Sequence, residues 1–438
     1  MNQNPVIKLL ERAGEPGLML EALAIGKFHP ERVPTLDIRP FSPASLAGPM
    51  KVSAAVSPDC SFRLLKEVVE AATESLDIYI YNVSADHIVK LLRDAGDRGV
   101  QLRVMYDSGD GGPAEKALLE ALPNTDVRVA PMSRPRAVFS VCHQKFVVAD
   151  GKRVLMGSAN WAGTSMPNVT TEGQFKKGNR EWIIAIESAE VAQWFGVLFQ
   201  TDWDIPEFAD APHLLQEGAE PLPEILVPSA TVRVPDTVFA IKRLDRAVQL
   251  TPLLSPDNYF SIVEKALSEA SASIEIEQQY IIAPRRPDGS VDTTRRVNQL
   301  LALLQDKKAA GITVRIIVSP KFSWDKSVDS LTEFGLEENL RAINLDFFTH
   351  LHNKGLIIDG KQAVVSSTNW SENSITQARE AGVFIEDEEL AGYYREVFEL
   401  DWKLAFAPNE LPRHLLTIEQ DVLMGPAEVT AMQPGEFL

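Results

Sequence analysis

One sequence string, H-x-K-x4-D-x6-[GS]-S-x-N, occurs twice in this chain of 438 residues, with the same spacing in both copies. The two copies consist of His143, Lys145, Asp150, Gly157, Ser158 and Asn160, and of His352, Lys354, Asp359, Ser366, Ser367 and Asn369. At ordinary residue frequencies, a match at any one start site has a probability on the order of 10⁻⁸. The chain is therefore predicted to be a duplication, in which each half builds the same local structure.

The order of predicted elements is also the same in both halves. Each half opens with Ser-Pro-Asp, and the pattern predicts that Asp59 and Asp257 cap a helix. A strand, a second helix ending at Gly99 or Gly311, and another strand follow. Strands that alternate with helices predict an α/β fold. We expect two tandem α/β sandwich domains related by a pseudo-twofold axis, with mixed β-sheets flanked by helices.

Composition shifts divide the chain further. Six prolines between Pro206 and Pro235 indicate a linker. The predicted organisation is an N-terminal extension over 1–48, a first domain over 49–205, a Pro-rich linker over 206–245, a second domain over 246–408 and a C-terminal tail over 409–438. We expect a monomer whose two halves form an intramolecular pseudo-dimer.

Charge and cysteine content limit the partners and the compartment. The chain has 43 Lys and Arg against 61 Asp and Glu, a formal charge of −18, which works against long-range attraction of DNA or acidic membranes. Two cysteines, Cys60 and Cys142, provide no disulfide framework and fit a reducing compartment. No apolar run approaches the ~18 residues of a membrane span. We expect a cytoplasmic protein without an integral membrane segment.

The motif strands are predicted over 141–148 and 351–358, each followed by an Asp-Gly-Lys turn and a return strand. Because residues i and i+2 of a strand point the same way, His143 and Lys145 project together, and Cys142 faces away into the core. The same holds for His352 and Lys354. Two copies related by an axis would place both histidines at one pocket.

The residue types of this pocket match a phosphodiester. Lysines, with the amides of Asn160 and Asn369 and the hydroxyls of Ser158 and Ser367, donate to anionic oxygens, so we assign the serines to substrate binding. One neutral histidine can attack phosphorus, and one protonated histidine can donate to the leaving alkoxide. This chemistry requires no metal and no other cofactor. Asp150 and Asp359 are predicted to be structural.

On these residues the two motifs resemble the signature of the phospholipase D superfamily, and the layout over roughly residues 50–405 resembles its single-chain, two-repeat members. The resemblance implies phospholipase D-like domains, a shared active site at their interface and phosphohistidine chemistry without metal. By position it implies two catalytic sets, His143, Lys145 and Asn160, and His352, Lys354 and Asn369.

Three further assignments depend on the same resemblance. It favours His143 as the nucleophile and His352 as the acid. Glu181 and Glu380 occupy the place of a carboxylate that orients a histidine. Ser366 stands where the family often has glycine, and residues 166–177 are interpreted as an insertion at the pocket mouth.

Three functions stay open at this point. The first is phospholipase D-like hydrolysis of phospholipids or transfer to an alcohol, for which Met132, Phe139, Phe322 and Trp324 would provide an apolar mouth. The second is a nuclease that cleaves DNA or RNA, favoured by an arginine-rich loop over 285–296 and by Lys176-Lys177, and disfavoured by the net charge. The third is a phosphate-binding pseudoenzyme.

Overall fold

The computed structural model describes residue 41 and the ranges 44–107, 112–131, 138–205, 233–321 and 323–412. Most of the predicted extension over 1–48, most of the predicted linker over 206–245 and the tail beyond 412 lie outside the described residues. Met132 and Phe322 of the predicted apolar mouth do so as well. The division into domains therefore stays a prediction.

Within these ranges the backbone forms one mixed sheet of 14 strands flanked by helices. The first repeat contributes β1 (Leu46–Ser57), β2 (Ser75–Ile80), β3 (Gln101–Tyr106), β4 (Thr125–Val129), β5 (Lys145–Ala149), β6 (Arg153–Gly157) and β7 (Glu181–Glu187). The second contributes β8 (Lys242–Ser255), β9 (Ser273–Gln278), β10 (Thr313–Val318), β11 (Leu340–Ala342), β12 (Lys354–Ile358), β13 (Gln362–Ser366) and β14 (Glu380–Glu386). The strand order is β11-β10-β9-β12-β13-β14-β8-β1-β7-β6-β5-β2-β3-β4.

The helices follow the same duplication. The first repeat has α1 (Ser61–Glu70), α2 (Asp86–Asp97), α3 (Gly112–Glu120) and α4 (Ala189–Trp203). The second has α5 (Tyr259–Glu269), α6 (Arg296–Ala309), α7 (Trp324–Glu333), α8 (Glu372–Thr376) and α9 (Glu388–Leu404), with short 3-10 turns at Glu337–Asn339 and Pro408–Glu410. As predicted, α2 and α6 stop just before Gly99 and Gly311, whose φ angles of 91° and 84° favour glycine.

The two repeats are joined through their longest strands. β1 and β8 pair antiparallel, from Leu46 opposite Leu250 to Ala54 opposite Lys242. The prediction of duplicated α/β repeats with mixed sheets flanked by helices is confirmed, and the seven strands of each repeat have counterparts in the other. The sequence does not predict that the two sheets merge into one. This merging satisfies the backbone groups of two edge strands that would otherwise be exposed.

The motif strands are shorter than predicted, because they begin at Lys145 and Lys354 and leave both histidines outside the regular strands. The reason is a backbone contact with the opposite repeat. His143 N–H donates to the carbonyl of Arg379 at 2.8 Å, and His352 N–H donates to the carbonyl of Arg180 at 3.1 Å. Each histidine is therefore positioned by the repeat to which it does not belong.

The Asp-Gly turns lie at the far ends of the motif strands. Asp150 and Asp359 have φ angles of 53° and 54°, a left-handed conformation that Asp tolerates better than most residues. The Asp150 carboxylate accepts three backbone N–H groups, those of residues 73–75, at 2.8 to 3.2 Å. Asp359 accepts those of residues 271–273 in the same way. Both carboxylates thus fix the entry of a neighbouring strand.

Candidate active site

The structure brings the histidines of the two motifs together at the seam between the repeats. The ring centroids of His143 and His352 are 6.4 Å apart. Both residues are buried, with 7% and 5% of their surface exposed. This spacing allows one tetrahedral phosphate to contact both rings.

A carboxylate from the opposite repeat holds each histidine. Oε1 of Glu181, at the start of β7, lies 2.8 Å from Nδ1 of His352. Oε2 of Glu380, at the start of β14, lies 2.9 Å from Nδ1 of His143. Neither repeat therefore contains a complete histidine–carboxylate pair of its own.

The second contact of His143 favours one tautomer. The backbone carbonyl oxygen of Ser367 lies 3.2 Å from Nδ1 of His143. A carbonyl oxygen can only accept, so this contact favours the form with the hydrogen on Nδ1. The lone pair of the neutral ring is then on Nε2, the nitrogen remote from Glu380.

The two lysines are almost completely buried beside these rings. Lys145 Nζ donates to the carbonyl of His143 at 2.5 Å and lies 4.9 Å from the centroid of the Tyr81 ring. Lys354 Nζ donates to the carbonyl of His352 at 2.5 Å and to Oε1 of Gln279 at 2.7 Å. The two halves of the site are thus similar but not identical.

The two histidine–carboxylate pairs differ in protonation. Burial, followed by Lys145 and Lys354, lowers the pKa of His143 well below its usual value. Burial raises the pKa of Glu380 to about 8. For Glu181, burial opposes ionisation, but His352 and Lys354 outweigh it and lower the pKa of this carboxyl. At neutral pH one pair is therefore uncharged, and the other contains an ionised carboxylate.

The hydroxyls of the two serines predicted to bind substrate, Ser158 and Ser367, form hydrogen bonds with the backbone. Ser158 Oγ accepts the backbone N–H of Trp182 at 3.1 Å, and Ser367 Oγ accepts that of Ala381 at 3.1 Å. Their assignment to substrate binding stays a prediction, because both hydroxyls are engaged with the backbone of the strand that follows.

The predicted asparagines have spare hydrogen-bonding capacity. Among the described residues, Oδ1 of Asn160 and Oδ1 of Asn369 are buried without a hydrogen-bond partner. The tryptophans that follow them, Trp161 and Trp370, are completely buried in the core. A buried amide without a partner costs free energy unless a ligand or water contacts it.

Arg180 and Arg379 lie next to the site carboxylates, and the sequence does not predict their partners. Arg180 binds Asp401 of the opposite repeat at 2.7 Å and Asp59 of its own repeat at 2.9 Å. All three side chains are fully buried. Arg379 forms the equivalent pairs with Asp202 and Asp257, each at 2.8 Å. Repetition of Arg-Glu and of Ser-Pro-Asp in both halves was the signal available in the sequence.

The prediction that Asp59 and Asp257 cap helices is therefore wrong. The residues that precede α1 and α5 are Cys60 and Asn258, and neither makes a side-chain cap. The two aspartates instead receive an arginine from the segment that carries the site glutamate. Since a buried guanidinium needs anionic partners, these contacts compete successfully with helix capping.

Other predicted features have clear positions. Cys142 is completely buried, and its N–H donates to the Asp107 carboxylate at 2.8 Å. His350 is also buried, and its Nδ1 lies 2.6 Å from Ser319 Oγ. In the described ranges, no set of three or more His, Cys, Asp or Glu side chains is arranged to hold a metal ion. Within the same ranges, every helix is too short or too polar to cross a bilayer.

Comparison with known proteins places both repeats in one family. The family described as "Cardiolipin synthase, PLD-like domain" matches residues 65–203 and 263–402. A phospholipase D of Rickettsia bellii is 25% identical over 168 residues, which are 38% of this chain and 76% of that protein. Phospholipase D Z of Dictyostelium discoideum is 21% identical over 349 residues, 73% of this chain and 76% of that protein.

A solved structure has the same fold along most of the chain. The phosphatidylserine synthase of Haemophilus influenzae superposes with a TM-score of 0.54 at 15% sequence identity. The match covers 87% of this chain and 92% of that chain. At this identity the similarity establishes the fold alone.

Proposed function

Because this chain belongs to the family of phospholipase D-like domains described for cardiolipin synthase, we propose that it hydrolyses phospholipids through a phosphohistidine intermediate. The observation that supports the proposal is the pair of histidine rings, whose centroids are 6.4 Å apart and each of which contacts a glutamate of the opposite repeat. The pKa values of these two glutamates shift in opposite directions. Two equivalent histidines would compete for the same role, whereas these two are already distinguished. The chain is an enzyme of the phospholipase D superfamily, and its reaction is the proposed part.

In the first step, Nε2 of neutral His143 attacks phosphorus, and a nitrogen–phosphorus bond forms as the bond to the headgroup oxygen breaks. Protonated His352 gives its proton to the departing oxygen, so that the headgroup leaves as an alcohol. Glu181 supports this role because an ionised carboxylate at 2.8 Å stabilises the protonated ring. Lys145 and Lys354 balance the charge on the phosphoryl oxygens.

In the second step, His352 takes a proton from water, and the water oxygen attacks phosphorus. The nitrogen–phosphorus bond breaks, which releases phosphatidic acid and restores both histidines to their starting states. An alcohol in place of water would give a new phosphodiester. Hydrolysis and transfer therefore differ only in the acceptor that reaches His352.

A nuclease is the second candidate, and two observations disfavour it. The chain carries a net charge of −18. The arginine-rich loop has few cations to spare for a nucleic-acid backbone, because Arg285 pairs with Glu333 at 2.7 Å and Arg295 pairs with Asp292 at 3.0 Å. A nucleic-acid groove needs unpaired basic side chains that follow the strand. The relatives named phospholipase D favour a lipid.

A trapping experiment tests this proposal. We would mix the enzyme with phosphatidylglycerol labelled with ³²P, quench in alkali, and measure label on the protein. We expect label on the wild type and no label on His143→Asn. His352→Asn should both gain and lose label more slowly than the wild type, because His352 protonates the leaving oxygen in the first step and activates water in the second. His87→Asn serves as the control, since His87 lies outside the site and contacts the Met166 carbonyl.

Two outcomes would overturn the proposal. One is turnover of the lipid by His143→Asn at a rate near that of the wild type. The other is cleavage of single-stranded DNA or RNA, but not of any phospholipid, in a manner that requires both histidines. The second outcome would establish the nuclease.

A further inference from the structure

A second group of basic side chains lies beside His352 and takes no part in the proposed steps. It consists of Lys177, Lys321 and His350, which we name the lateral basic cluster. His350 is buried, and its ring centroid is 5.9 Å from that of His352. Both lysines are partly buried. The cluster therefore borders the pocket on the side of the second repeat.

Hydrogen bonds connect the segments that carry the cluster, and the Thr349 N–H donates to the carbonyl of Gly178, next to Lys177, at 2.9 Å. The Ser319 hydroxyl contacts Nδ1 of His350 at 2.6 Å and accepts the backbone N–H of Lys321 at 3.3 Å. Lys177 Nζ donates to the carbonyl of Leu345 at 2.5 Å. Lys177 also ends the segment over 166–177 that the sequence predicts to lie at the pocket mouth. The cluster is thus assembled from both repeats.

The cluster has positive charge without a matching carboxylate. Among the described residues, neither Lys177 nor Lys321 forms an ion pair with an acid. Burial lowers the pKa of Lys177 and the charge of Asp346 opposes this shift, but Asp346 also forms an ion pair with Arg233 at 3.3 Å. Burial and then the charge of Lys177 lower the pKa of Lys321 to about 8. Two neighbouring, partly buried cations of this kind are stabilised by an anion.

Among the residues that the structure describes, the first repeat has other side chains at two of the equivalent positions. Asp107 follows β3 where Ser319 follows β10, and Val141 precedes His143 where His350 precedes His352. Asp107 is buried, and its carboxylate binds the Cys142 N–H. The pocket is therefore more basic on the side of His352 than on the side of His143.

We propose that the lateral basic cluster binds a second anionic group on the headgroup that leaves from phosphorus. This inference rests on the proposed function, in which His352 protonates the leaving oxygen and thus faces the headgroup. The preferred substrates are then phospholipids whose headgroup carries a further anion, such as a phosphate monoester, next to the scissile phosphodiester. A singly anionic headgroup would leave Lys177 and Lys321 without an anionic partner.

The test compares two lipids that differ by one phosphate. Phosphatidylglycerol and phosphatidylglycerol phosphate, each in neutral detergent micelles, are assayed with the full-length enzyme. We expect kcat/KM of the wild type to be at least tenfold higher for phosphatidylglycerol phosphate. Lys321→Gln should reduce this ratio about tenfold, and Lys321→Arg should largely retain it. Lys361→Gln, an exposed lysine in the β12–β13 turn, should keep the wild-type ratio.

Other results would overturn the inference. A wild-type ratio near one, or a ratio that Lys321→Gln leaves unchanged, would show that the cluster does not bind the second phosphate. Lys177→Gln gives an independent test if Lys321→Gln does not fold. A tenfold effect of Lys321→Gln on a thymidine oligonucleotide, but not on either lipid, would assign the cluster to nucleic acid. Absence of labelled phosphohistidine in the wild type would instead reject the proposed function itself.

Discussion

Glu181 holds a histidine that belongs to the other repeat, with Oε1 2.8 Å from Nδ1 of His352. Glu380 does the same for His143 at 2.9 Å. The adjacent arginines also cross the seam, since Arg180 binds Asp401 and Arg379 binds Asp202. One dipeptide, Arg-Glu, thus contributes both to the active site and to the contact between repeats. Any motion that separates the repeats would dismantle the site.

Removal of the Glu181 charge tests the role of this contact. We expect Glu181→Gln to lower kcat for phospholipid about 10- to 100-fold, because the protonated form of His352 loses its anionic partner. The decline of kcat at high pH should begin at a lower pH than in the wild type. Glu187→Gln, at the other end of β7, is the matched control. An unchanged pH profile would contradict the assignment of His352 as the acid.

Burial of Glu380 predicts a pH-dependent stability. Its pKa is about 8 in the folded protein and near its usual value in the unfolded chain, so the folded state holds a proton that the unfolded state releases. This contribution is complete below the unfolded pKa and is lost as pH rises through 8. Between pH 7 and 8.5, where unfolded histidine is mostly neutral, the free energy of unfolding should fall by roughly 1 kcal/mol.

Urea denaturation at several pH values measures this effect. Glu380→Gln cannot ionise, so its free energy of unfolding should vary much less over the same interval. The comparison needs only the difference between the two proteins at each pH, which cancels contributions from other groups. Parallel curves for the wild type and Glu380→Gln would show that this carboxyl does not titrate near pH 8.

The sequence predicts the two motifs and the order of elements because both depend on local patterns. Apolar periodicity determines the helices, and an Asp-Gly pair determines each turn after a motif strand. The helix ends at Gly99 and Gly311 follow from the same kind of local rule. Duplication strengthens every one of these predictions, since a pattern that occurs in both halves is tested twice.

The crossed partners are not predictable in this way. Glu181 and His352 are 171 residues apart, and which histidine each carboxylate contacts depends on how the repeats dock. The same is true of Asp59, whose local context favours a helix cap but whose carboxylate receives Arg180. Neither Lys177 nor Lys321 belongs to the repeated motif. The lateral basic cluster is therefore recognised only from the fold.

Arg180 is expected to be essential for stability. Arg180→Met leaves Asp59 and Asp401 buried without their cation, which should cost about 3–5 kcal/mol in the free energy of unfolding. Arg243→Met is the control, because Arg243 is half exposed and its pair with Glu67 is worth at most about 1 kcal/mol. Thermal or urea denaturation of both variants measures the difference. Equal losses would show that the seam does not depend on this buried network.

Removal of divalent metal should leave the activity intact. In the proposed mechanism Lys145 and Lys354 neutralise the phosphoryl oxygens, so treatment with EDTA followed by gel filtration should change kcat by less than about twofold. Lys354→Met should lose at least about 100-fold, and added Mg²⁺, Mn²⁺ or Zn²⁺ should not restore it. Lys361→Met controls for the loss of a lysine outside the site. Activity that EDTA abolishes and a divalent ion restores would require a mechanism in which a metal, rather than the lysines, carries the charge.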